Sequence, residues 1–157
     1  MTANAYRTIS ILQFIRKFNR YLYKLTIINI VNMKLLTPQE IEVWYILPAV
    51  RRELAKIMIS TKGMSQKQAA KVLYLTEPAI SQYLKEKRGK DVKFNNAVQQ
   101  EMKKSVDTIL ANPSPSSLIS ELQRILKVTK QNMILFSVHK KIDSSIPHDC
   151  NQCVKWW

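Results

Sequence analysis

Two helix-start signals stand close together between the only two glycines of this chain, Gly63 and Gly89, and that spacing constrains the fold more than any other feature. Ser65 followed by Gln68 has the capping-box pattern, in which the serine hydroxyl accepts a first-turn N–H and the glutamine reaches back to the serine backbone. Thr76 followed by Glu77 and Pro78 is the second start, because threonine caps and proline occupies a first-turn position that needs no donor. A connection this short forces the two helices to cross steeply. Ala70 is the small residue at their approach, and Val72, Leu73, Leu75, Ile80 and Leu84 supply the inward apolar side chains.

The flanking segments also read as helices, so the predicted fold is all-α: a bundle around residues 65–89, followed by a C-terminal helical segment. Thr37, Pro38 and Glu40 make another capped start. From there Ile41, Trp44, Tyr45, Leu47, Val50, Leu54, Ile57 and Met58 carry an apolar face, with Arg51, Arg52, Glu53 and Lys56 toward water. Pro48 predicts a kink or split in that helix, and Lys62 with Gly63 predicts its end. Residues 94–110 place Phe94, Ala97, Val98, Met102, Val106, Ile109 and Leu110 on one face. A Pro/Ser linker at 112–116 follows, then Ser117 as the cap of a helix faced by Leu118, Leu122, Ile125 and Leu126, and an apolar run from Met133 to Val138. The predicted organisation is an extension at 1–32, a domain at 33–93, a helix at 94–111 and a C-terminal segment at 117–157.

Charge narrows the partners. Lys and Arg number 25 against 11 Asp and Glu, a formal +14, which a polyanion or an anionic surface would neutralise. Residues 1–32 hold Arg7, Arg16, Lys17, Arg20 and Lys24 with no acid, and Ile11, Phe14, Ile15, Phe18 and Leu22 recur at helical spacing. A basic amphipathic arm is one reading there, and an upstream extension of little function or an over-long assigned start is the other. The greasiest stretch, residues 25–31, is broken by Thr26 and Asn29, so no membrane partner is expected. Cys150 and Cys153 are the only cysteines, too few for a secreted disulfide framework, and a cytoplasmic protein is expected.

Burying the apolar faces of residues 65–84 leaves the start of the second helix projecting, at a diameter that fits the DNA major groove. Glu77, Pro78, Ser81 and Gln82 face outward there. Gln82 suits bidentate pairing with adenine, Ser81 is a permissive donor and acceptor, and Glu77 can accept from cytosine N4. Lys85, Lys87, Arg88, Lys90 and Lys93 follow, opposed only by Glu86 and Asp91, and suit phosphate contacts.

On these residues the chain resembles the lambda-repressor/Cro-like (XRE) helix-turn-helix family over residues 34–90, and within it predicted archaeal transcriptional regulators. The resemblance rests on LPAVRRELAK, on GMSQKQAA and on LTEPAISQYLKEKRG. It implies a small crossing residue at Ala70, a buried recognition-helix position at Ile80, and base reading by Glu77, Pro78, Ser81 and Gln82. It also implies a C-terminal region richer in thiols, with Gln123, Leu126 and Phe136 where cysteines would stand. The usual turn glycine is Tyr74 here; a left-handed tyrosine costs about 1 kcal/mol, so a rearranged turn or a ring packed over a neighbour is expected.

The expected function is therefore sequence-specific double-stranded DNA binding in transcription regulation, by a homodimer whose interface is drawn from residues 94–110 or 118–138. A nucleic-acid-binding module without a regulatory role, an RNA binder or an antitoxin-like partner, is the alternative. An enzyme is not expected, since no Gly-rich phosphate loop, metalloprotease motif or nucleophile–base pair is present. Cys150 and Cys153 form a C-x-x-C with His148 and His139 upstream, a candidate set for zinc or an iron–sulfur cluster. A redox dithiol and an unremarkable tail are the other readings, and no cofactor is assigned.

Overall fold

Thr37 opens the first helix as its side chain predicts. Its hydroxyl accepts from the Glu40 N–H at 3.3 Å, and the Glu40 carboxylate accepts from the Thr37 N–H at 2.8 Å. The structure, a computed structural model, describes residues 36–143, 146–150 and 153; the amphipathic arm expected at 1–32 lies outside the described residues. From the cap, α1 (Pro38–Ile41) runs through a π-helical turn, π1 (Glu42–Ile46), into α2 (Leu47–Ser60).

Pro48 explains the π turn. Proline has no N–H to offer the fourth carbonyl back, and its ring collides with that carbonyl in an α-helix. Widening the preceding turn removes the conflict: the Leu47 N–H donates to the Glu42 carbonyl, five residues back. The interruption predicted at Pro48 thus takes the form of a wide turn. It also rotates the flanking side chains out of α-helical register. Ile41 and Ile46 are fully buried, whereas Trp44, expected on the apolar face, is 57% exposed beside an equally exposed Val43. Arg52, expected in water, is buried; it pairs with Glu53 at 2.7 Å and donates to the Val92 carbonyl at 3.4 Å.

Five further helices follow among the described residues: α3 (Gln66–Val72), α4 (Glu77–Leu84), α5 (Asn96–Ala111), α6 (Pro115–Gln131) and α7 (Ile134–Ile142). No strand occurs among the described residues, so the fold is an all-α helical bundle. The start of α6 differs from expectation. Ser114, not Ser117, is the cap: its hydroxyl accepts from the Ser117 N–H at 3.2 Å, leaving Pro115 in the first turn where its missing donor costs nothing. Phe94 is buried just ahead of α5 rather than within it, and Ala97 faces water.

Helix α2 is central, packing against α3, α4, α5 and α6, while α7 returns against α1 and the π turn. One apolar core runs from Leu36 through Leu54, Ile80, Val98 and Ile125 to Leu135 and Cys153, within a single compact unit, Leu36–Trp157. The apolar faces offered by sequence as a dimer interface are consumed here: Val98, Met102, Val106, Ile109, Leu118 and Ile125 are buried inside their own chain. Polar clamps orient the helices. Arg124 on α6 donates to Glu101 and Ser105 on α5 and to Glu121 on its own helix. Lys130 on α6 meets Glu42 of the π turn at 2.7 Å with both side chains largely out of water, a pair whose attraction is set against the cost of desolvating both charges.

Candidate nucleic-acid interface

Helices α3 and α4 pack on each other and on α2, joined by residues 73–76. Each starts on the cap its sequence announces. Ser65 accepts from the Gln68 N–H at 3.2 Å while Gln68 returns its side-chain oxygen to the Ser65 N–H at 2.8 Å, and Thr76 accepts from the Ala79 N–H at 3.4 Å. Ala69 and Ala70 are buried on α3, as are Ile80 and Tyr83 on α4. Tyr83 was not anticipated from its sequence neighbourhood, although it stands three residues from Ile80 on the same helical stripe.

The connection turns through a left-handed residue. Tyr74 has φ +51°, with the Leu75 N–H donating to the Ala70 carbonyl at 2.9 Å and the Tyr74 N–H to Lys71 at 3.3 Å, the double closure that ends many helices. The rearrangement expected for this tyrosine does not occur: the turn keeps its left-handed residue, and Tyr74 is 56% exposed.

On α4, Pro78, Ser81, Gln82 and Lys85 fall at i, i+3, i+4 and i+7, opposite Ile80 and Tyr83. Glu77, Pro78 and Lys85 are exposed, and Ser81 and Gln82 are half-exposed. The Ser81 and Gln82 side chains have no hydrogen-bond partner among the described residues. They are left to a ligand or to water.

The segment after α4 is held at three points on α2, which points its cations outward. Glu86, itself left-handed at φ +54°, meets Lys56 at 3.0 Å. Gly89, at φ +68°, lies so close to α2 that a Cβ would stand 2.7 Å from the Pro48 carbonyl and 2.8 Å from the Ala49 backbone. The buried Arg52 then takes the Val92 carbonyl, and Val92 enters the core. Between these anchors Lys87, Arg88 and Lys90, and on either side of them Lys85 and Lys93, are all exposed, with no ion pair among the described residues. The hydrogen bond from Lys56 and the nearby Arg52 charge hold the Glu86 carboxyl below the usual range, so this acid is spent on α2 rather than on the basic loop.

The candidate metal ligands are only partly gathered. His139 on α7 and Cys153 are both buried, with Nδ1 and Sγ 3.2 Å apart, and the His139 Nε2 is enclosed without a hydrogen-bond partner. Burial pushes the Cys153 thiol up, and neighbouring Cys150 adds to the shift. His148 turns away to the Lys140 ammonium, 2.9 Å from its Nε2. No cluster of three or more His, Cys, Asp or Glu able to hold a metal ion occurs among the described residues. Nor does any helix there have the length and apolarity to cross a membrane.

Compared with protein-family models, curated proteins and solved structures, the chain matches none. The functional reading rests on its own residues.

Proposed function

We propose that α3 and α4 act as a helix-turn-helix and that the protein is a sequence-specific, double-stranded DNA-binding transcriptional regulator acting by promoter occupancy. The observation that carries this reading is the division of labour along α4. Its first turns present Glu77, Pro78, Ser81 and Gln82 without protein partners, and its far end leads into exposed cations anchored from behind. A protruding helix with polar side chains at its N-terminal end suits base edges in the major groove. Ammonium and guanidinium groups carried on an anchored loop beside it suit the phosphates that set its register.

Dimerisation on two half-sites belongs to the same proposal. With the faces of α5 and α6 committed to the core, Val43, Trp44 and Ile119 are exposed apolar side chains available for it. Selection of bound duplexes from a random pool tests both parts. Enrichment of a defined site supports base reading, and two-fold symmetry in that site supports the dimer. A pool that remains random after repeated rounds contradicts the proposal.

A further inference from the structure

The C-terminal helix adds a wall to the basic loop. Between residues 86–93 and α7 lies an open cleft of about 490 Å³. Lys90 and Lys93 line it from the loop; Ser137 and Lys141 line it from α7, where they stand on the stripe of Ile134 and Val138. Glu86 and Asp91 are its acidic members. Glu86 is engaged by Lys56 at 3.0 Å, which leaves three lysines in the lining against one acid, Asp91, that has no ion pair among the described residues. Lys90, Lys93 and Lys141 are exposed and have no ion pair among the described residues. Such a concave, cation-rich surface with a hydroxyl on its wall suits a phosphodiester oxygen, which takes ammonium and hydroxyl donors together.

We propose that this cleft seats a backbone phosphate of the bound duplex and that Lys141, far from α4 in sequence, is a DNA contact residue. The inference rests on the DNA-binding reading above and extends the interface from the helix pair to the C-terminal segment. It gives α7 a role beyond covering α1: packing of α7 on the core brings Lys141 to the loop that follows α4.

Lys140 provides the internal control. It is the adjacent lysine on the same helix and carries the same charge, but its ammonium lies against His148 rather than in the cleft. The experiment compares full-length wild type, Lys141→Gln and Lys140→Gln for binding to the selected duplex and a scrambled one across a salt series. Loss of one phosphate contact lowers the slope of log affinity against log salt by about 0.9, equivalent to a roughly five-fold loss near 0.15 M salt. Lys141→Gln is expected to show that loss on both duplexes, with base preference retained, and Lys140→Gln to follow wild type. Equal slopes for the two variants, or a Lys141→Gln slope equal to wild type, would overturn the role of the cleft while leaving the DNA reading intact. A wild-type protein that binds neither duplex would overturn both.

Discussion

The Lys56 ammonium lies 3.0 Å from the Glu86 carboxylate, and this pair fastens the left-handed residue after α4 to the central helix of the bundle. Both side chains are substantially exposed, so the pair adds little to global stability. Its contribution is positional, since it withdraws an acid from a loop that otherwise presents cations.

Acid should loosen the fold through a small set of carboxylates. Glu86 is held below the ordinary value of 4.5 by the hydrogen bond and charge of Lys56. Glu40 is lowered chiefly by the Thr37 backbone N–H, and Glu101 by Lys104 and then Arg124. A carboxylate depressed in the folded state stabilises above its unfolded value and loses that contribution as pH falls through its folded one. The thermal midpoint should therefore be nearly insensitive to these groups at neutral pH and fall on acidification below about 4.5. Because the Lys56–Glu86 pair is exposed, Glu86→Gln should reduce the acid slope only slightly and leave most of it to the other two carboxylates.

Gly89→Ala should be among the more damaging single-atom additions in this chain. The new Cβ would meet the α2 backbone at 2.7–2.8 Å, and φ +68° is unfavourable for any side chain. Left-handed strain and overpacking together suggest a loss of about 2–4 kcal/mol, readable in a denaturant titration. Gly63→Ala makes a useful contrast. It carries a similar φ of +66°, but open space surrounds its Cβ position, so it should lose only the conformational part.

Tyr74→Gly should stabilise the protein. The tyrosine holds φ +51° and is more than half exposed, so glycine relieves strain at a modest cost in packing. The greater freedom of glycine in the unfolded chain offsets part of the gain, leaving about 0.5–1 kcal/mol. If instead the midpoint falls, the exposed ring has a packing role that its surroundings do not reveal.

What could be read from the residues, and what could not, follows from the range of each interaction. Caps act within a single turn, so Thr37, Ser65 and Thr76 announced α1, α3 and α4 correctly, and the small and apolar residues of α3 and α4 fell on the buried side. The errors arose where one local rule displaced another. A proline-driven π turn moved Trp44 into water, and competition between serines moved the α6 cap from Ser117 to Ser114. Contacts between distant segments left almost no mark: nothing local to Arg52 announces the Val92 carbonyl, and nothing local to Lys141 announces Lys90 and Lys93. For the same reason four candidate metal ligands near the C-terminus could be named, but not that His139 and Cys153 meet while His148 turns to Lys140.

The central claim assigns base reading and phosphate binding to different residues, and competition binding at several salt concentrations with matched and scrambled duplexes measures both. Gln82→Ala and Ser81→Ala should each relax preference at one or two base positions, by about 1–3 kcal/mol where the lost contact is bidentate and less where it is single. Lys87→Ala and Arg88→Ala should weaken matched and scrambled duplexes alike, each flattening the salt slope by about one contact. Base preference that survives Gln82→Ala and Ser81→Ala but disappears with Lys87→Ala would contradict the assignment of α4 as the reading helix.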